Sequence, residues 1–391
     1  MCRNIRGLGL PKLYMRMVIR RLDEKFVEPL EVNRMKLKTM LNALLVTLIL
    51  SASMAGCLES EEDEKVIRIA FKTQDDYDNP SANPQTLADF IAAQSGYAVE
   101  LYPINSDIAA IEALRFGHAD IAFLDGGAAW IAWQQHGFSA ILADQKSDGT
   151  TSYTAQAWVL ADSDIQSLED LEGKDSCHTG WLKSAGMLMP MGYMINNGIV
   201  DVSGDADDIS SLRTTIEEHF GNASIPESGD LYYSYSGAFR CMTDGVGDVA
   251  FGKMTSYEDH CEGNDWCLER DQYRPLEPAF GQVPTHPVMV DPNQIDSEKQ
   301  DAFVAAMLAM NSEMWVEDHP MGDTTYTGCY SMTTHQVADI PQNTCGGEIL
   351  MNVLNTPGIS EVTTEGHLGS YSDAIGAIPG IAAYFDEKYD E

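Results

Sequence analysis

The chain has 391 residues, 44% hydrophobic and 21% charged, with 60 acidic against 24 basic side chains and a formal net charge of −36. That length suits about two domains with real cores and excludes a disordered, collagen-like or multi-span membrane chain. It also leaves too few bases to build the phosphate-binding face of a nucleic-acid binder. Eight Cys are too sparse for a small disulfide scaffold and fit a few staples in an exported domain.

The bases are concentrated at the start. Residues 1–56 hold 10 Lys/Arg and 4 Asp/Glu, so residues 57–391 hold 14 bases and 56 acids, a net −42. Residues 1–34 fit no export signal, and we expect Met35 to be the true start, with 1–34 an over-extended reading frame. From Met35 to Gly56 a basic start, an apolar run over Leu41–Leu50 and small residues make a secretory signal too short to span a bilayer. Its Met54-Ala55-Gly56-Cys57 ending resembles a lipobox, which makes Cys57 the expected lipidated residue and anchors the rest outside the cytoplasm. The acidic run that follows, within 57–65, reads as a solvated tether.

From Val66 the elements alternate. Val66–Phe71 is a strand-length apolar run, Leu87–Ala93 is helical in period, Ala98–Tyr102 alternates as a strand, and Ile108–Phe116 is a helix stopped by Gly117. Ala119–Leu124 is a third strand ending at Asp125-Gly126-Gly127. Such alternation predicts an α/β fold with doubly wound sheets, and a residue at the carboxyl end of such a strand faces the ligand crevice. Asp125 sits there, and it also suits the N-cap of a following helix. A second unit starts after Tyr153, with a strand over Ala155–Leu160, a short helical turn at Leu168–Gly173 and a longer helix over Lys183–Asn197. The strand Gly247–Phe251 repeats the small-Asp-apolar pattern of the first unit. Two α/β lobes with a cleft between them follow: 66–152 plus 287–391 as one, 153–286 as the other.

Four stretches, in order, carry a resemblance. They are Leu124-Asp125-Gly126-Gly127, then Ser176-Cys177-His178-Thr179-Gly180-Trp181-Leu182-Lys183-Ser184-Ala185-Gly186, then Tyr235-Ser236-Gly237-Ala238-Phe239-Arg240-Cys241 with Gly247–Lys253, and Val283-Pro284-Thr285-His286. Together they resemble the transferrins, and the region after the tether is about the size of one transferrin lobe. The resemblance implies a two-domain fold of the periplasmic-binding-protein type II, with mixed sheets and a hinge of two crossing strands. It implies a ferric ion held by Asp125, Tyr153, Tyr235 and His286, with Tyr153 placed by its position before a strand rather than by a motif. It implies a bidentate carbonate or bicarbonate at Thr179, Lys183, Ala185 and Gly186, and a disulfide between Cys177 and Cys241.

The chemistry of those residue types agrees. A small, hard trivalent ion prefers oxygen donors, and metals deprotonate the phenols that bind them. A helix start with small residues favours an anion. Lys183 stands where the family usually has Arg, a point charge in place of a two-pronged clamp. Lys253 matches one member of the family's lysine pair, with no Lys where the other should fall. Cys261 and Cys267 can close a small loop, leaving Cys329 and Cys345, although six Cys allow fifteen pairings. Met187, Met189, Met191 and Met194 read as core rather than as a copper site.

The expected function is therefore a lipid-anchored, monomeric ferric-ion binder feeding a membrane importer, an ABC permease, or a receptor. The first lobe also resembles phosphate, phosphite and phosphonate binding proteins of ABC importers, in which Thr179, Lys183 and the helix start would hold an oxyanion directly. An enzyme is not expected: no Gly-x-Ser-x-Gly, His-Glu-x-x-His or phosphate loop is present, and nothing supplies a nucleophile beside Asp125 and His286.

Overall fold

The computed structural model describes residues 65–72, 82–322 and 324–390. The expected signal segment, Cys57 and nearly all of the tether lie outside the described residues. Among those described, no helix is long and apolar enough to cross a membrane.

The described residues open with β1 (Val66–Lys72), α1 (Pro84–Ser95), β2 (Ala98–Ile104), α2 (Asp107–Arg115), β3 (Ile121–Phe123), α3 (Gly126–His136) and β4 (Ser139–Asp144). Helix α1 forms where the sequence punctuates it: Asn83 caps the Gln85 N–H, Pro84 takes the first turn, and Gly96 closes the end at φ 74°. Next come β5 (Ser152–Leu160), β6 (Ser176–Cys177), a π-helical turn (Ser184–Leu188) running into α4 (Met189–Asn196), and α5 (Ser210–His219). They are followed by β7 (Ala223–Ser224), α6 (Ser234–Thr243), β8 (Val249–Lys253), α7 (Ser256–His260) and β9 (Tyr273–Pro284). The last part holds β10 (Pro287–Val290), α8 (Ser297–Met310), β11 (Glu313–Met321), β12 (Thr324–Ser331), β13 (Gln336–Ala338), α9 (Gly346–Val353), β14 (Ile359–Glu361), α10 (Thr364–Ile375) and α11 (Ile381–Asp390).

The fold is mixed α/β. One sheet has the order β14-β4-β10-β3-β1-β2, the other β7-β6-β8-β5-β9. β1 runs parallel to β2 and β3, whereas β10 is antiparallel to β3 and β4. In the second sheet β6 is parallel to β7 and β8, and β5 is antiparallel to β8 and β9. The first sheet thus takes strands from both ends of the described chain, and the second takes only 152–284. The two passages between sheets run side by side, with Ser152 opposite Pro284 and Tyr153 opposite Val283. Thr285 ties them together, donating its N–H to Thr151 O (3.0 Å) and its hydroxyl to Asp144 O (2.7 Å).

The sequence reading assigned no element to residues 313–338. There the chain forms a third, antiparallel sheet, β11-β12-β13, with a mostly half-exposed pattern that lacks a clean alternation. Among the described residues, three disulfides join Cys177 to Cys241, Cys261 to Cys267 and Cys329 to Cys345. Met187, Met189, Met191 and Met194 are all fully buried in the core.

The helix expected over Lys183–Asn197 begins as a π turn, for a local reason. Pro190 has no N–H to give the carbonyl four residues back, that of Gly186. The buried His178 supplies the donor instead, its Nδ1 lying 2.9 Å from Gly186 O while Ser176 Oγ bonds its Nε2 at 3.0 Å. Burial lowers the His178 pKa to about 4, against about 6.5 when exposed. A base that is harder to protonate when folded leaves stability intact above its unfolded pKa. Stability then drains as pH falls from about 6.5 toward 4, because the unfolded chain binds the proton. Denaturant titrations across that window should show the loss in the wild type and a flatter profile in His178→Gln. Equal slopes in the two proteins would contradict this.

Candidate functional site

Asp125 follows β3 and caps α3. Its Oδ1 accepts the Gly127 N–H at 2.9 Å and the hydroxyl of Tyr389. His286 lies in the short link between β9 and β10, and its Nδ1 is 2.8 Å from Asp144 Oδ2. That carboxylate raises the His286 pKa, and the arrangement leaves Nε2 as the nitrogen available to a ligand. Asp107, Asp125, Asp144 and His286 line one cleft of about 520 Å³. Three carboxylates on one wall make a field that draws cations and opposes anions.

Tyr153 on β5 and Tyr235 on α6 lie side by side, close enough for Tyr235 to act on the Tyr153 phenol. Lys253 Nζ lies over both rings, 4.9 Å from the Tyr153 centroid and 4.6 Å from that of Tyr235. The His260 ring stacks on Tyr235 at 5.3 Å and 10°. Burial, then the neighbouring phenol, pushes Tyr153 well above the usual phenol range. Burial also raises Tyr235 and lowers Lys253. Asp125 acts electrostatically on both Tyr153 and His286, each of which it makes harder to deprotonate. The four residues expected to hold a cation thus gather around the two strand passages.

The residues expected to hold an anion divide. Thr179 is 2% exposed, and its Oγ1 is buried with no hydrogen-bond partner among the described residues. Gly186 faces it so closely that an added Cβ would overlap Thr179 Oγ1. Ala185 and Gly186 lie in the first turn of the helix that starts at Ser184, where backbone N–H groups have no helical acceptor. The chemistry of this cradle, with an orphan hydroxyl, open N–H groups and no Cβ, fits a small oxyanion. Lys183 is the exception: exposed, it rests its Nζ 5.7 Å from the Tyr233 ring centroid.

Sequence reasoning missed two tyrosines beside Asp125. Tyr371 on α10 is 3% exposed, and both Ser184 and Asp125 act on its phenol. Tyr389 on α11 donates to Asp125 and accepts from Lys388 Nζ at 3.1 Å. Burial pushes both phenols above their usual range, with Asp125 adding to the shift. Ile381, Phe385 and Tyr389 recur every fourth residue, which marks a buried helix face but not a site.

A family model described as "ABC transporter, phosphonate, periplasmic substrate-binding protein" matches residues 69–325. The chain belongs to this family. This binding protein is also similar to melanotransferrin of Homo sapiens, 29% identical over 181 residues, or 39% of this chain and 24% of that one. Serotransferrin of Gadus morhua is 32% identical over 228 residues, or 50% of this chain and 34% of the relative. The binding protein therefore spans about a quarter to a third of the length of these curated relatives. The solved structure titled "XAC2383 from Xanthomonas citri bound to ATP" is 17% identical with a TM-score of 0.45, covering 84% of this chain and 100% of that one.

Proposed function

We propose that this binding protein takes up ferric ion together with carbonate or bicarbonate and hands it to a membrane importer, an ABC permease, or a receptor. Asp125, Tyr153, Tyr235 and His286 hold the ion. Thr179, Ala185 and Gly186 hold the anion, with Lys183 swinging in from Tyr233. Residues 66–152 with 287–391 form one domain and 153–286 the other, and they close on the cargo about the paired strands at Tyr153 and His286. Cys57 carries the lipid anchor on the outer side of the membrane.

The observation that carries this reading is the buried pair of phenols, bridged by the Lys253 ammonium over both rings and within the field of Asp125. A free oxyanion gains little from a carboxylate wall. A trivalent cation displaces both phenolic protons to solvent and binds the resulting phenolates, so uptake releases protons and acid favours release. The second reading, direct binding of a phosphonate or phosphate, is favoured by the orphan Thr179 hydroxyl and by the matched family.

Ferric ion added with bicarbonate to the metal-stripped protein should raise a visible charge-transfer band, absent without bicarbonate. No band, together with calorimetric uptake of a phosphonate by the stripped protein, would overturn the ferric reading in favour of the second.

A further inference from the structure

We propose that Tyr389 is a positioning residue of the cleft: it occupies one oxygen of Asp125 and so reserves the site for small trivalent cations. The inference rests on the ferric reading of the same cleft. Both hydrogen bonds to the Asp125 carboxylate fall on Oδ1, one from Gly127 N–H and one from the Tyr389 hydroxyl. Oδ2 has no hydrogen-bond partner among the described residues and is the one oxygen left for cargo. Lys388 fixes the direction of the phenolic proton. Its ammonium donates to the Tyr389 oxygen at 3.1 Å, so that oxygen's own proton turns to Asp125.

The hydroxyl is held firmly where it acts. Tyr389 is 7% exposed and packs on Phe385, 5.5 Å between ring centroids, and α11 packs against α2 and α3. Gly127 leaves the room: a Cβ there would overlap the Tyr389 hydroxyl. A carboxylate with one oxygen engaged gives a cation a single bond. Small ions with about six ligands accept that, whereas larger ions prefer more oxygens and two-toothed carboxylates. Removing the hydroxyl leaves Oδ1 with the Gly127 N–H alone, so that its remaining acceptor capacity can join Oδ2 on a large ion.

The test compares gallium(III) with the larger lanthanum(III), each titrated with bicarbonate into the metal-stripped wild type and Tyr389→Phe by calorimetry. The gallium-over-lanthanum preference should fall about tenfold in the variant, the size of effect seen when an outer partner of a metal ligand is lost. Ile381→Val, which loosens the same helix two turns before the hydroxyl, should lower the melting temperature and leave the preference unchanged. An unchanged preference in folded Tyr389→Phe overturns the proposal while wild-type ferric binding still stands. A wild type that binds neither ferric ion nor gallium brings down both. If Tyr389→Phe does not fold, Lys388→Met, which releases the phenol's orientation, should shift the preference in the same direction by a smaller factor, and no shift there overturns the proposal.

Discussion

Tyr235→Phe should remove most of the ferric charge-transfer colour and weaken ferric binding by more than about 100-fold, since loss of mere outer-shell partners already costs 10- to 100-fold. The colour arises from phenolate bound to iron, and the variant removes one of two phenolates. The fold should survive the change. The ring still stacks on His260, Lys253 still lies over the ring face, and α6 loses no backbone bond. Tyr153→Phe should behave alike, because the proposed site draws one phenolate from β5 and the other from α6. Absorption spectra and metal analysis of both variants beside the wild type decide the matter. Full colour and unchanged affinity in Tyr235→Phe would remove the phenolate from the site.

Legibility followed locality. Asp125 could be read as both N-cap and crevice residue because Gly126-Gly127 after a strand gives both signals, and the structure gives it both positions at once. The Lys183–Asn197 helix was visible in the apolar periodicity. Its π start was not, because that depends on the His178 ring, just after β6, reaching the Gly186 carbonyl. The third sheet escaped because residues 313–338 carry no alternating apolar face; their pairing is set by the chain's return and by Cys329–Cys345.

The tyrosines show the limit most clearly. Tyr235 stood out through its neighbours in sequence, Ser236-Gly237-Ala238, and Tyr153 through its place before β5. Tyr371 and Tyr389 lie on α10 and α11, 136 and 154 positions beyond Tyr235. Only tertiary packing brings them to Asp125. Their side chains follow ordinary amphipathic spacing, which marks a buried helix face and not a site. Lys183 is the opposite case: its sequence position at the helix start marked it as an anion partner, yet its flexible stem carries the ammonium to the face of Tyr233. A planar Arg, with less freedom per hydrogen bond formed, would be held more firmly over the cradle.

Gly186→Ala should abolish the dependence of ferric uptake on bicarbonate and destabilise the protein by about 1–3 kcal/mol, the usual cost of forcing extra atoms into a packed interior. The added Cβ would overlap Thr179 Oγ1 and approach Thr179 Cβ and Cγ2 to 2.6 Å. Neither side can give way easily. Thr179 O accepts the Ser234 N–H at 3.0 Å, Gly186 O is held by His178, and the π turn packs against β5 and β8. Thr179→Val separates the two effects. It keeps the shape and removes a buried hydroxyl that has no partner, so melting temperature should hold or rise. The anion nevertheless loses its hydroxyl donor, and bicarbonate should no longer deepen the ferric colour. A protein that kept full bicarbonate dependence in both variants would place the anion somewhere other than the Thr179–Gly186 cradle, and the shared chemistry of the two functional readings would have to be rebuilt around the carboxylate wall alone.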